Sequence, residues 1–291
     1  MEKFLHYVSF VFACVCLFLE QSHVGKCLFF FLFWHGKVTP LYLMVISGSA
    51  PRIVGGHQAP PSFGRFHASL QNVTGHHVCG GAVVSKWHIV TAAHCVIGAN
   101  PEYVKVVVGT THLDIGGKQY DVKEIHINDK YNLTTRQNDI AVVTIEGVFD
   151  MSKVRVIKMT ENDAVEGDYV TITGFGANKP NSASNRELLA INVTVFCQDT
   201  CEYAMRYSRE VTKNMFCTFT EFGQGTCHGD SGSPVTKGDE LVGVVSWGIP
   251  CAVGFPDVHT RVFPFIGWIK KVIKIRYCES KLNYKKNITQ R

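Results

Sequence analysis

The chain has 291 residues, of which 46% are hydrophobic and 26 are glycine, with a formal net charge of +5. This composition argues against a helical bundle or a disordered chain and suits a turn-rich β protein, large enough for one large domain or two packed barrels. The positive charge lies at the C-terminus, since residues 270–291 carry eight Lys and Arg against Glu279 while residues 53–269 hold −4, so no nucleic-acid groove is indicated.

Residues 1–50 are predicted to be a hydrophobic leader that directs the chain to secretion. An apolar run from Tyr7 to Leu19 follows Lys3, as in the hydrophobic region of a signal peptide. Later apolar runs are interrupted by charged residues or histidine, so none reaches the roughly 20 residues that a transmembrane helix needs. The small residues 47–50 offer a cleavage site. A retained N-terminal membrane anchor is the alternative.

After residue 53 the sequence is typical of many short antiparallel strands. Apolar alternation and β-branched runs recur at short intervals, and Gly, Asn and Asp clusters separate them. The clearest runs are residues 82–84, 104–108, 140–145, 169–173 and 241–245. No internal repeat of fixed period is present.

Residues 264–277 have helical periodicity instead. Pro264 suits a first turn, and apolar residues on one face are accompanied by lysines that lie largely off it. The apolar residues are Phe265, Ile269, Val272 and Ile273. The sequence therefore predicts a C-terminal helix followed by a basic tail, residues 277–291. The tail is interpreted as a solubilising end, with a membrane or polyanion anchor as the alternative.

Three short motifs supply the groups that nucleophilic catalysis needs. In chain order they read Ala-Ala-His-Cys around His94, Asn-Asp-Ile-Ala around Asp139 and Gly-Asp-Ser-Gly around Ser231. A serine hydroxyl is a poor nucleophile at neutral pH, so it needs a base to take its proton and a carboxylate to orient that base. An isolated His or Asp is more often structural. The three motifs together predict a catalytic triad.

These motifs resemble those of the chymotrypsin/trypsin family of serine endopeptidases, in particular its chymotrypsin-like invertebrate members. The resemblance runs from about residue 53 to 276. Its other motifs are Ile53-Val54-Gly55-Gly56, Gly174-Phe175-Gly176 and Ser246-Trp247-Gly248. It implies an all-β fold of two six-stranded antiparallel β-barrels with a C-terminal helix. It also implies hydrolysis of peptide bonds through an acyl-enzyme, without a cofactor.

The resemblance assigns roles residue by residue. Ser231 is the nucleophile, His94 the general base and acid, and Asp139 the orienting carboxylate. Backbone N–H groups of Gly229 and Ser231 form the oxyanion hole. Ser246 hydrogen-bonds Asp139.

One residue near the nucleophile departs from the family pattern. Relatives usually read Gly-Asp-Ser-Gly-Gly-Pro, whereas here Ser233 replaces the second glycine. Because Gly232 is kept beside the nucleophile, we expect Ser233 to be tolerated.

The order His, Asp, Ser also argues against a lipase or esterase of the α/β-hydrolase type, whose triad runs Ser, acid, His.

The resemblance further implies synthesis as an inactive precursor. Residues 51–52 form a short activation propeptide before a peptidase domain of residues 53–276. Cutting after Arg52 frees the amine of Ile53, which pairs with Asp230 next to the nucleophile. A buried carboxylate without this partner costs several kcal/mol, so the pair acts as a switch.

Specificity is expected to depend on a pocket lined by Ser246, Trp247 and Gly248. Gly225 stands at its base, where trypsin-like members carry Asp, so large apolar side chains are favoured. Asp257 stands where relatives usually have Gly, and its carboxylate is expected near the vacant floor, attracting Lys or Arg. The alternative is that Asp257 only accepts hydrogen bonds from neighbouring backbone N–H groups.

Eleven cysteines indicate an oxidising compartment. The resemblance implies three disulfides, Cys79–Cys95, Cys201–Cys217 and Cys227–Cys251. Cys197 is close enough to compete for Cys217, and a link between Cys197 and Cys278 is a further hypothesis. Sequons at Asn72, Asn132, Asn192 and Asn287 are consistent with a secreted glycoprotein.

No metal site is predicted. Cys197 and Cys201 have no second pair at zinc-ligand spacing. The loop that binds calcium in some relatives corresponds to residues 110–120, where Asp114 is the single carboxylate.

The sequence thus predicts a secreted, monomeric serine endopeptidase. Its expected partners are protein and peptide substrates, an activating protease and protein inhibitors, with no nucleic acid. The alternative is a non-catalytic secreted homologue, which normally lacks a triad member. Digestive, defensive and venom roles all fit.

Overall fold

The computed structural model describes residues 14–17, 26–29, 53–179 and 182–275. Within the unit Met1–Ala50, strand β1 (Cys14–Leu17) pairs antiparallel with strand β2 (Lys26–Phe29). The rest of the predicted leader, Arg52, and the C-terminal tail with Cys278 and Asn287 lie outside the described residues. No helix in the described ranges is long and apolar enough to cross a bilayer.

The unit Pro51–Arg291 contains two closed barrels. A two-residue strand and one helical turn precede them, β3 (His57–Gln58) and α1 (Pro61–Gly64). The strands of the first barrel are β4 (His67–Asn72), β5 (His77–Val83), β6 (His88–Thr91), β7 (Val104–Val108), β8 (Lys118–Ile127) and β9 (Ala141–Ile145). They close in the order β4-β5-β6-β9-β8-β7, every pair antiparallel. Val106, Val143 and Ile145 fill the interior, as β-branched residues suit a pleated surface.

The second barrel also has six antiparallel strands. They are β11 (Tyr169–Gly174), β12 (Leu189–Phe196), β13 (Met215–Thr218), β14 (Pro234–Lys237), β15 (Glu240–Gly248) and β16 (Asp257–Arg261). The order β15-β14-β11-β12-β13-β16 closes because β16 also pairs with β15. The short strand β10 (Lys158–Met159) runs parallel to β15, and β3 pairs with β12. The predicted fold of two six-stranded barrels is confirmed.

Helical structure is sparse. Helix α2 spans Gln198–Met205, and 3₁₀ turns occur at Ala93–Cys95, Pro101–Tyr103 and Phe263–Phe265. The last helix, α3, covers residues 266–275 of the described chain. Pro264 therefore lies in a 3₁₀ turn just before α3 rather than in its first turn. This is a small correction to the predicted start, since the ring of Pro264 is compatible with either conformation.

The C-terminal helix packs where the two barrels meet. One buried cluster joins Phe66 and Ile140 of the first barrel, Leu241 of the second, and Ile269 of α3. The predicted apolar face is thus buried, whereas Lys270 and its neighbouring lysines are exposed. This shared core fixes the two barrels against each other and so positions the cleft between them.

The three predicted disulfides are present. They join Cys79 to Cys95, Cys201 to Cys217 and Cys227 to Cys251. Cys197 has no disulfide partner among the described residues. The competition for Cys217 is therefore resolved in favour of Cys201, and the question of a link to Cys278 falls outside the described residues.

Candidate active site

His94 and Asp139 form a close pair on the first barrel. His94 sits in the 3₁₀ turn after β6, and Asp139 comes just before β9, which is the neighbour of β6 in the barrel. His94 Nδ1 lies 2.7 Å from Asp139 Oδ2, and the backbone N–H of His94 donates to Asp139 Oδ1 at 2.8 Å. The carboxylate therefore accepts a hydrogen bond from the Nδ1–H group of His94, which leaves Nε2 available as a base.

The second barrel supplies further partners for Asp139, which is fully buried. The Ser246 hydroxyl on β15 donates to Asp139 Oδ2 at 2.6 Å, as the resemblance implied, and the Thr260 hydroxyl donates to the Asp139 carbonyl at 2.9 Å. Burial raises the pKa of Asp139 to about 7, and the Ser246 hydrogen bond opposes that rise. Both barrels must therefore be in place to hold this carboxylate.

The loop that carries Ser231 packs against the turn that carries His94. Gly80 N–H donates to the carbonyl of Ser231 at 2.8 Å. A Cβ atom at Gly232, where φ is 77°, would lie 2.3 Å from Thr91 Oγ1 and 3.2 Å from Cys95 Sγ. Only glycine fits this approach, so the loop brings Ser231 to the segment around His94.

The side chain of Asp230, next to Ser231 in the same loop, is fully buried. Its two carboxylate oxygens accept hydrogen bonds from the backbone N–H groups of Gly176 at 2.9 Å and Cys227 at 3.0 Å. Burial raises the pKa of Asp230 to about 7, although both hydrogen bonds favour the ionised form. The carboxylate thus has hydrogen-bond donors but no cation among the described residues.

The segment after the predicted cut is inserted into the second barrel. Ile53 is fully buried with φ 38°, an uncommon value for a β-branched residue. The next residue, Val54, forms an isolated bridge with Gly225, whose N–H donates to the Val54 carbonyl at 3.1 Å. Ile53 therefore enters the core close to the walls of the predicted pocket.

The Asp257 carboxylate lies against both pocket glycines, Gly225 and Gly248. A Cβ at Gly225 would lie 2.6 Å from Asp257 Oδ2, and one at Gly248 would lie 3.1 Å from Oδ1. Thr226 N–H donates to Oδ2 at 2.7 Å. Burial raises the pKa of Asp257 to about 7, and the Thr226 hydrogen bonds oppose this rise. The carboxylate thus lies against Gly225, as expected for a group at the pocket floor. It also accepts a backbone hydrogen bond, as the alternative interpretation expected.

Known proteins are similar to this chain in sequence. A family model described as Trypsin matches residues 53–269. The chain is 35% identical over 221 residues to Chymotrypsin-2 of Vespa crabro, which covers 75% of this chain and 99% of that protein. It is 34% identical over 229 residues to Trypsin 5G1 of Aedes aegypti, covering 77% and 86%. The chain belongs to the trypsin family.

Membership in the trypsin family makes the protein a serine endopeptidase by class. A third relative, Trypsin epsilon of Drosophila erecta, is 32% identical over 227 residues, covering 77% of this chain and 88% of that protein. The match to the Trypsin family model begins at Ile53, the residue after the predicted cut.

The trypsin-family motif is altered at Ser233, and the structure explains how this residue fits. Ser233 is fully buried, and its hydroxyl has no hydrogen-bond partner among the described residues. Its Oγ lies 2.1 Å from where a Cβ of Gly80 would be. The serine is therefore accommodated because the facing residue has no side chain.

His77 is a site residue that the sequence did not reveal. Its Nε2 lies 2.9 Å from the carbonyl oxygen of Gly229, and its Nδ1 lies 2.8 Å from the Ser69 hydroxyl. Since a carbonyl only accepts, Nε2 carries the proton and Nδ1 accepts from Ser69. Burial lowers the pKa of His77 to about 4, so the ring is neutral and holds the loop before Ser231.

His94 also lies near two sulfur atoms. One potential ligand atom from each of His94, Cys79 and Cys95 falls within 4.8 Å of the others. Both sulfurs belong to one disulfide, so neither is a thiolate that could bind a metal. In the loop of residues 110–120, where no calcium site is predicted, Asp114 forms an ion pair with Arg186 at 2.9 Å.

Proposed function

We propose that the protein is a secreted, zymogen-activated endopeptidase that cuts peptide bonds through a Ser-His-Asp triad. The supporting observation is the 2.7 Å contact between His94 Nδ1 and Asp139, beside the loop that carries Ser231. In the first step His94 Nε2 takes the Ser231 proton while Oγ bonds to the carbonyl carbon. The N–H groups of Gly229 and Ser231 stabilise the oxyanion.

Breakdown of the tetrahedral intermediate completes acylation. His94 returns its proton to the leaving amine, the carbon–nitrogen bond breaks, and an ester to Ser231 remains. Water, deprotonated by His94, then hydrolyses that ester. Asp139 stabilises the imidazolium that forms in both halves, and the Ser246 hydrogen bond keeps this buried carboxylate oriented.

Covalent labelling tests this proposal against a non-catalytic homologue. An organophosphate should modify Ser231 in the activated protein and leave other serines unmodified, because only an activated hydroxyl reacts readily. Peptide mapping by mass spectrometry locates the adduct. A protein that stays unlabelled at Ser231 after cutting at Arg52 would support the non-catalytic alternative, although His94, Asp139 and Ser231 are all retained.

For specificity we propose a chymotrypsin-like preference for Phe, Tyr and Leu with tolerance of Lys and Arg. A base of Gly225 and an open entrance at Gly248 leave room for large side chains. The Asp257 carboxylate lies beside both glycines and is buried. A cationic side chain in the pocket would offset the cost of ionising that carboxylate.

The Asp257→Gly variant is expected to lose turnover of Arg peptides selectively. Removing one partner of a buried charge pair costs about 2 kcal/mol or more, so kcat/KM for an Arg peptide should fall roughly thirtyfold. A matched Phe peptide should be affected much less. Kinetics with the two peptides measure the ratio, and Asp239→Gly, an exposed position on the second barrel, should leave it unchanged. Absence of Arg turnover in the parent enzyme would rule out the mixed specificity.

We further propose activation by cutting after Arg52, followed by pairing of the Ile53 amine with Asp230. Support comes from the burial of both residues.

Secretion is supported by the disulfides, which persist in oxidising compartments, and by the leader. Asn132 and Asn192 are exposed, so both sequons are accessible to glycosylation. The proposed partners are protein and peptide substrates, an activating protease and protein inhibitors, acting on a monomer.

A further inference from the structure

Two arginines lie on one flank of the proposed active site. Arg136 belongs to the loop just before Asp139 and has φ 62°. Its Nη1 donates to the Tyr131 hydroxyl at 3.2 Å, whereas its buried Nε has no acceptor among the described residues. Arg209, beyond helix α2, places its guanidinium carbon 5.6 Å from the centre of the Trp247 ring. We call Arg136, Arg209 and Trp247 the cationic flank.

Contacts between neighbouring residues hold the two arginines on the same side of the cleft. Gln137, next to Arg136, donates through Nε2 to Glu210 at 3.4 Å, and Glu210 is next to Arg209. Asn214 Nδ2 donates to Asn138 Oδ1 at 2.9 Å. These contacts join the loop of the first barrel to the segment after α2. Burial lowers the pKa of Arg136, the charge of Asp139 opposes this, and Arg209 lowers it further, as two nearby cations would.

The two guanidinium groups of the cationic flank are not engaged in ion pairs. Within the described residues, neither Arg136 nor Arg209 has a carboxylate within ion-pair distance. Glu210 is exposed and is the single acidic side chain in these contacts, while Asp139 is buried and bonded to His94 and Ser246. A third cation, Arg206, stacks on exposed tyrosines nearby in sequence. Both guanidinium groups are therefore available to pair with an anionic ligand.

A free strand edge leads from the proposed pocket to this flank. The pairing of β14 with β15 ends at Pro234 opposite Val244, so on that side residues 246–248 have no strand partner in the described chain. An extended peptide can add to such an edge through its backbone. With one side chain in the pocket beside Gly248, the preceding residues of the peptide would pass Trp247, over which Arg209 lies.

We propose that the enzyme prefers substrates with Asp or Glu two to four residues before the scissile bond, bound by Arg136 and Arg209. This inference rests on the proposed endopeptidase function and names its substrate class as peptides that are acidic on this side of the cut. The guanidinium groups offer charge-assisted hydrogen bonds to a carboxylate, and the Trp247 ring covers one face of the arginine.

Fluorogenic peptides test the preference on the activated full chain. All carry Phe before the scissile bond, and Glu, Gln or Lys is placed in turn two, three and four residues before it. At low ionic strength kcat/KM for Glu should exceed that for Lys by roughly tenfold at one or more of these positions. The ratio should approach one at about 1 M salt, where the Debye length is about 3 Å.

Substitutions assign the effect to the flank. Arg136→Gln and Arg209→Gln should each reduce the Glu/Lys ratio about threefold. Lys213→Gln is the matched control, because it removes an exposed cation from the segment after α2 that borders a different cleft, beside Asp163 and Arg261. It should leave the ratio unchanged.

The outcomes separate the two proposals. Two results would overturn this inference and leave the endopeptidase function intact. In the first, the Gln peptides are cut but Glu peptides are not preferred over Lys peptides. In the second, the preference for Glu survives in both arginine variants. Absence of turnover with every peptide overturns both. A Glu preference that salt and either arginine substitution reduce supports the inference.

Discussion

The Ser231→Ala variant is expected to lose catalysis by on the order of 10⁴- to 10⁶-fold in kcat while keeping its fold. Without the hydroxyl no acyl-enzyme can form. The backbone N–H groups of Gly229 and residue 231 can then stabilise only the intermediate that forms when water attacks the substrate carbonyl directly. The substitution removes one oxygen from a half-buried position and leaves the backbone contact with Gly80 in place. Turnover of a Phe peptide by equal amounts of activated parent and variant measures the loss.

Ser233→Ala is the matched control for this result. It also removes a serine hydroxyl, two residues further along. That hydroxyl is buried and has no hydrogen-bond partner among the described residues. Activity should be retained, and thermal stability should be equal or slightly higher because an unsatisfied buried hydroxyl is removed. If Ser231→Ala kept more than about a hundredth of parental turnover, Ser231 would not be the nucleophile, since removing a triad nucleophile costs far more.

Arg52→Gln is expected to give a precursor that the activating protease cannot convert. Without a cut the Ile53 amine does not form, and Asp230 stays buried without a cation. Removing one partner of a buried pair costs about 3–5 kcal/mol, which corresponds to a loss of roughly 10²- to 10⁴-fold in the population of the active conformation. Peptide turnover before and after addition of an arginine-specific protease measures this, with N-terminal sequencing to find Ile53.

The pH dependence of stability offers a second readout of the same pair. Burial raises the pKa of Asp230 to about 7, although two backbone hydrogen bonds oppose this rise, so the uncut chain keeps a neutral carboxyl below that pH. In the cut protein the ammonium favours the ionised form and lowers the pKa. The cut protein should therefore melt at a higher temperature than the uncut protein at pH 8. The difference between the two melting temperatures should shrink as the pH falls below about 7.

Arg65→Gln controls for the loss of a positive charge. Arg65 is exposed and lies 13 positions after Arg52, so its substitution should leave conversion and activity intact. Full activity of Arg52→Gln with an uncut N-terminus would contradict the switch.

Local patterns were sufficient to predict the elements of this fold. The Val-rich run at 104–108 and the runs at 169–173 and 241–245 all became strands, because β-branched alternation is a property of neighbouring residues. The apolar face containing Ile269 and Val272 was likewise readable from helical spacing. The disulfide pairs and the barrel closure came from the family resemblance, since spacing alone does not define cysteine connectivity.

The remaining site features depend on contacts between distant segments. His77 lies 152 positions from Gly229, whose carbonyl it holds, and no local pattern marks it. Gly80 looks like an ordinary strand glycine until the loop containing Ser233 is packed against it. The approach of Arg209 to Trp247 depends on how the segment after α2 folds back. Such contacts are set by strand register and loop path, which single-sequence patterns do not encode.

The backbone torsion at Ile53 has a consequence for the energetics of activation. A β-branched residue held at φ 38° stores on the order of 1–3 kcal/mol. That torsion is defined by the bond to the preceding residue, so the proposed cut after Arg52 would remove the constraint and release this strain. Under the proposed activation, backbone strain at Ile53 would therefore favour the cut chain over the uncut one.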